Sequence, residues 1–270
     1  MLRSDSRWPQ IGILLLAYEL IGAIGLTRVP PVTLALIGFH VCLFMKNLSA
    51  YFGIWTLWPT SLLCLNAQTM LGSSSAQFYR VFTAPLFHVS DLHLYYNMVS
   101  FAWKGIRLER RYGMIGFIFT LALLMAMTGY IYVGICAFIA KYLNDDSYMN
   151  QCAIGFSGVI FALKVLANDS DGNFGLFYVP RTMAIWTELL IIQILVPNAS
   201  FISHFSGILA GIILGDLIPT LYYIVFQAPF RFIQKYPTTF FTTCLLISLN
   251  LDWIQKPWNT KVFWSSGASL

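Results

Sequence analysis

Ser157 sits in the run Gly155-Phe156-Ser157-Gly158, where the chain passes from a loop into an apolar stretch. A serine between glycines at such a junction has three chemical advantages. The glycines allow a tight turn and a close approach of substrate backbone. The helix start presents free N–H groups to an anion. The hydroxyl is left exposed as a nucleophile with an oxyanion site beside it. The second residue is His204, in Ser203-His204-Phe205-Ser206-Gly207, with Gly211 and Gly215 beyond. Positions 203, 207, 211 and 215 are all small, so they form a ridge that a neighbouring helix can approach closely. A neutral imidazole beside that ridge can act as general base toward a serine about 3 Å away. Each residue also has a plain reading, as helix packing for the Gly-Ser run and as a carbonyl-bonded histidine for His204.

His93 and Asn97 form the third element, in His93-Leu94-Tyr95-Tyr96-Asn97. Residues i and i+4 share a helix face. Both side chains can donate to a developing oxyanion, or they can bond neighbouring helices. His88 lies in the loop that enters this helix.

These residues need elements to hold them, and the composition says which solvent those elements meet. The chain is 58% hydrophobic and 10% charged, with mean hydropathy +0.70, against about 25% charge in a soluble domain. Lipid is the solvent that accommodates this excess. The formal net charge of +5 comes from scattered basic residues, which reads as a topology signal and not as a nucleic-acid footprint. The five cysteines, Cys42, Cys64, Cys136, Cys152 and Cys244, are widely spaced and odd in number, so they imply no disulfide framework. Helix packing is their expected role, although Cys152 lies near Ser157.

Apolar runs and breakers give the elements. A short run over 11–27 contains Glu19 and follows Arg3 and Arg7; without a small-x-small cleavage site it reads as a retained anchor or interfacial helix. A helix starts at Pro30-Pro31 and extends to about Met45. Residues 48–87 form a large amphipathic loop whose length favours a functional role. A helix over about 90–108 ends in Arg107-Leu108-Glu109-Arg110-Arg111, the strongest basic patch, which should face the cytosol. Further apolar runs cover 114–141, 157–166, 181–196 and 201–225, with polar turns over 141–151 and 168–173. Thr238 to Leu251 is apolar but short for a span. The expected organisation is an N-terminal hydrophobic segment over 1–28, a catalytic membrane domain over 29–225, and a tail over 226–270.

The combination of Gly-Phe-Ser-Gly opening one helix, His-x-x-Gly-x-x-x-Gly on a later one, and His-x-x-x-Asn on an earlier one resembles the rhomboid family of intramembrane serine proteases. His204 follows Ser157 by 47 residues with one membrane segment between, as the family pattern requires. Glu109-Arg110-Arg111-Tyr112-Gly113 is similar to the family's Glu-x-Arg-x-Gly, and Pro31-Val32-Thr33 to the start of its first core helix. The wording of Pro30–Leu34, His93–Met98, Trp103–Ile106 and Gly155–Val159 is closest to the endoplasmic-reticulum members. The resemblance covers about residues 29–225.

That resemblance implies an all-α, polytopic fold with a six-helix core and a large first loop. It implies Ser157 as nucleophile, His204 as general base with no aspartate completing a triad, and an oxyanion site of His93, Asn97 and the Ser157 N–H. Gly155, Gly158, Phe161, Gly207, Gly211, Glu109 and Arg111 are implied as supporting residues. Phe161 stands where many members have a tyrosine stacked on the histidine; it keeps the face and loses the hydroxyl. Tyr79-Arg80 stands where the family has a Trp-Arg pair that anchors the first loop. No metal or cofactor is needed. The implied partners are transmembrane protein substrates and the lipid bilayer, with no nucleic acid. The family's ubiquitin- and segregase-binding motifs are not carried onto this tail.

Two other readings remain open from the sequence. One is a non-catalytic, derlin-like relative that binds membrane clients in endoplasmic-reticulum degradation; such relatives lack the serine, the histidine or both. The other is a transporter or channel, for which Glu188 inside an apolar run is the cue. Zinc and aspartyl intramembrane chemistry fit poorly. There is no His-Glu-x-x-His, and Ile213 before Leu214-Gly215-Asp216 breaks the Gly-x-Gly-Asp signature.

Overall fold

A computed structural model describes residues 11–45, 63–72, 77–167, 181–196 and 199–222. Residues 48–62 and 73–76 of the loop expected over 48–87, the loop over 168–173 and the segment Thr238–Leu251 lie outside them. The chain divides into a unit Met1–Pro219 and a unit Thr220–Leu270. Everything below concerns the first, apart from the last turn of its final helix. Among the described residues the fold is all-α. One isolated antiparallel bridge, Leu65 with Ala153, is the exception to helix and loop.

Helix α1, Ile11–Tyr18, continues as a π-helical stretch, Glu19–Ile24, and stops at Gly25. Helix α2 is Pro31–Phe44, with proline in its first turn, where the missing N–H costs nothing. Two short helices, α3 (Ala67–Leu71) and α4 (Arg80–Thr83), carry the described parts of the first loop. Helix α5 spans Asp91–Leu143 but is broken at Gly113, where φ is +71°, so it works as two arms. Ser90 caps its start by accepting from the His93 N–H at 3.2 Å. Helices α6 (Ser157–Ala167), α7 (Arg181–Leu195) and α8 (Phe201–Tyr222) follow. With α2 and the two arms of α5 they make the six helical passes expected from the sequence, among the described residues. The α5 helix is long and apolar enough to cross a membrane; shorter apolar stretches are Ile11–Ile24, Pro31–Phe44, Ser157–Ala167, Met183–Leu195 and Phe201–Gly215.

Contacts at the two ends fix the directions. Gly12 N–H donates to Asp91 Oδ2 at 3.1 Å, and Arg110 Nη2 donates to the Arg28 carbonyl at 2.8 Å. So α1 and the first arm of α5 run in the same direction. The carboxylate of Glu109, 4% exposed, accepts from Val32 N–H at 2.9 Å, and from Thr33 N–H and Thr33 Oγ1 at 2.7 Å each. It caps α2, which therefore runs back toward the Ser90 end. A carboxylate at a helix N-terminus meets unpaired N–H groups and the positive end of the dipole. The core is a continuous apolar cluster of α1, α2, α5, α6 and α8 that includes Leu94, Phe101, Phe117, Val159, Leu163 and Ala210.

Candidate active site

Helix α6 begins where the chain cannot continue as ordinary loop. Gly155 has φ +115°, a region closed to side chains, and its N–H donates to the Ala84 carbonyl at 3.2 Å. A Cβ there would lie 2.6 Å from His93 Cε1, so the imidazole of His93 rests directly on this glycine. The next residue, Phe156, drives its ring into the core, 5.0 Å from His40 and 5.1 Å from Phe101 between centroids. Its carbonyl accepts the first intrahelical bond, from Ile160 N–H at 3.0 Å. Ser157, Gly158 and Val159 thus form the first turn, whose N–H groups have no carbonyl of their own helix to bond. The sequence reading gave Phe156 no role, yet it pins the helix start.

His204 reaches Ser157 from α8, with Nε2 2.8 Å from Oγ. The imidazole is 5% exposed. The small ridge explains how it comes so close. A Cβ on Gly207 would lie 1.9 Å from the Gly158 carbonyl oxygen, so at this crossing one backbone lies directly on the other. Gly211 meets Ala162 and Val165 one turn further on. Phe161, one turn beyond Ser157, holds its ring 4.9 Å from that of His204 at an interplanar angle of 33°. His204 Nδ1 has no hydrogen-bond partner among the described residues.

The two implied oxyanion residues lie on the first turns of α5. Asn97 is 4% exposed, and its Nδ2 donates to the His93 carbonyl at 2.7 Å. One amide hydrogen is thereby used within the helix, which fixes the carboxamide and leaves the second. Neither His93 nor Asn97 is bonded to Ser157. Glu109 and Arg111 lie at the other end of this arm, about 24 Å from His93 at 1.5 Å per residue. Glu109 acts there as the α2 cap, and exposed Arg111 lies over the Tyr112 ring. Both lie away from Ser157 and His204.

Arg80 is 2% exposed and donates from Nη1 to the Cys64 carbonyl at 2.6 Å and from Nε to Gln77 Oε1 at 2.5 Å. It anchors the first loop, as the resemblance implies. Leu65 and Ala153 exchange backbone hydrogen bonds at 3.0 and 2.9 Å, which ties that loop to the approach to Ser157. A cavity of about 20 Å3 lies between Leu65, Thr128, Gly155, Gly158 and Ser203, room for one water molecule. Glu188 pairs with Lys164 of α6, a bond between neighbouring helices. Sequence reasoning missed His40, which is fully buried with its ring 5.3 Å from that of His88. Its only cue was being a histidine within an apolar run.

A family model described as Rhomboid domain matches residues 75–220. The chain belongs to the rhomboid family. It is 38% identical over 212 residues to rhomboid-related protein 4 of Mus musculus, which covers 77% of this chain and 63% of that protein. It is 42% identical over 142 residues to rhomboid-like protein 14, mitochondrial, of Arabidopsis thaliana, which covers 50% of this chain and 41% of that protein. Rhomboid-type serine protease B of Aspergillus fumigatus is 27% identical over 147 residues, covering 51% of this chain and 50% of that protein. The chain spans about two thirds or less of the length of these relatives. Rhomboids are membrane proteins and include serine proteases; the transporter reading is set aside.

Proposed function

We propose that the chain is a serine endopeptidase that hydrolyses peptide bonds of transmembrane proteins within or beside the bilayer. The observation that carries this reading is the 2.8 Å contact of Ser157 Oγ with His204 Nε2 at the start of a helix. His204 Nε2 takes the hydroxyl proton as Oγ attacks the scissile carbonyl carbon. The oxyanion is met by the Ser157 N–H at the helix start, with His93 and the second Asn97 amide hydrogen as further donors. His204 then gives its proton to the leaving amine, and the amide C–N bond breaks. Water attacks the acyl-serine with His204 again as base. The Phe161 ring limits the imidazole to the orientation in which Nε2 faces the serine.

Substrate helices must unwind to offer a bond, because helical carbonyls are already bonded and shielded. Transmembrane segments with helix-weakening residues are therefore the preferred substrates. We place the enzyme in the endoplasmic-reticulum membrane, with a role in protein quality control, on the wording of Pro30–Leu34 and Gly155–Val159. One relative carries mitochondrial in its name, so the location of the tagged full chain tests this part.

The test of the chemistry is labelling by a fluorophosphonate in detergent or proteoliposomes. The wild type should be labelled at Ser157, while Ser157→Ala and His204→Ala should lose labelling and substrate cleavage and keep their helical content. Cleavage that survives Ser157→Ala would overturn the assignment, and a wild type that takes no label at Ser157 would favour a client-binding role.

A further inference from the structure

Cys64 and Cys152 are far apart in the chain, yet each directly precedes a partner of the Leu65–Ala153 bridge. In an antiparallel pair the residues flanking a bonded pair all point to the face opposite it. Cys64 and Cys152 therefore share a face as diagonal neighbours. Each thiol shifts the other's titration, Cys64 downward and Cys152 upward. Cys64 is 4% exposed, while Cys152 is exposed. The segment on which Cys64 sits is held from behind by Arg80, at 2.6 Å from the Cys64 carbonyl. The segment on which Cys152 sits is held by Tyr132, whose hydroxyl donates to the Gln151 carbonyl at 3.0 Å. Both sulfurs are thus carried on backbone fixed by buried side chains.

We infer that Cys64 and Cys152 form a redox modification site that closes to a disulfide joining the first loop to the segment entering Ser157. The oxidant is a small-molecule or protein disulfide. Exposed Cys152 loses its proton and attacks one sulfur of that disulfide, which breaks its S–S bond, gives a mixed disulfide and releases one thiolate. Cys64 then loses its proton and attacks the Cys152 sulfur, forming the Cys64–Cys152 bond and releasing the second thiolate. The two cysteines lose two electrons and two protons, and the oxidant is reduced to two thiols. The roles suit the environments. The neighbouring Cys152 thiol and the Arg80 charge bring the Cys64 thiol down to about 7, so it is ready to resolve the mixed disulfide. The neighbouring Cys64 thiol pushes Cys152 up, which makes the first attack the slower step. The pair lies at the Ser90 end of the bundle, opposite the basic patch of Arg107–Arg111. With that patch in the cytosol, the pair meets the oxidising compartment.

The experiment uses the full chain in proteoliposomes, treated with oxidised glutathione, alkylated and digested. The expected product is one cross-linked peptide pair containing Cys64 and Cys152, absent after reduction, together with a higher unfolding temperature of the oxidised wild type. Cys64→Ser and Cys152→Ser should each abolish both changes. Full alkylation of both thiols after oxidation, stable glutathione on Cys152 without a cross-link, or a bond from either residue to Cys136 would each overturn the proposal. The cross-link is read on the wild type, so a variant that fails to fold leaves the test intact. It is also independent of Ser157 labelling, so this inference and the protease reading fail separately.

Discussion

At the scale of single residues, the site depends on side chains whose polar atoms have one use each. Asn97 spends one amide hydrogen on the His93 carbonyl, which orients the other hydrogen without rotamer search during reaction. Glu109 spends its carboxylate on three donors of α2. Hydrogen bonds to a charged group contribute about 1.5–3 kcal/mol each, and buried donors left without a partner cost more. Glu109→Ala should therefore destabilise the fold by about 3 kcal/mol or more, read as a lower unfolding temperature in detergent. Glu109→Gln should lose less, because its amide oxygen still accepts. A variant as stable as the wild type would show that the cap contributes nothing.

Among the helices, the decisive feature is the crossing of α6 and α8. The crossing sets the distance between Ser157 and His204, since each residue is carried on one of the two helices. A methyl group on Gly207 cannot fit against the Gly158 carbonyl at 1.9 Å, so Gly207→Ala must push the helices apart. A misplacement of about 1 Å can cost about 100-fold in rate, and fluorophosphonate labelling of Gly207→Ala should fall by that order. Gly215→Ala is the control on the same ridge: its methyl would meet Leu166 Cδ2 at 3.7 Å, an ordinary contact. Labelling of that variant should stay near the wild-type rate. Equal loss in both would mean that the ridge acts through something other than close approach.

For the whole molecule, alternation of helix direction puts the chemistry at one end and the positive charge at the other. Residues near Arg28, Glu109 and Arg110 meet at one end, while His40, His88, His93 and Gly155 gather at the other. The positive-inside rule then predicts Ser157 in the half of the bilayer away from the cytosol. A glycosylation acceptor built into the Asp146–Asn150 turn should gain a glycan in microsomes, and one beside Gly113 should not. The reverse pattern would invert the molecule and turn the Cys64–Cys152 pair toward a reducing cytosol.

The sequence by itself determined the solvent, most of the helices and the candidate pair Ser157 and His204. Apolar runs and the breakers at Pro31, Gly113 and Ser157 locate helices locally, because helix formation depends on neighbours three and four residues away. Ser157 and His204 were legible for the same reason: each sits in a glycine pattern that has a local backbone consequence. The break in α5 was read a few residues early, at Leu108, because charged residues continue a helix as well as they end one; Gly113 supplies the stop. Tertiary structure alone decided what meets across the bundle. Nothing in Glu109 or Val32 announces their bond, nothing marks Phe156 as the pin of α6, and the wide cysteine spacing gave no sign that Cys64 and Cys152 flank one backbone bridge. Such contacts depend on how helix ends and loops pack in three dimensions, and residue type at a distance in the chain does not encode that. The sequence names Ser157 and His204 as the candidate pair; the close crossing of two glycine-lined helices brings them to 2.8 Å.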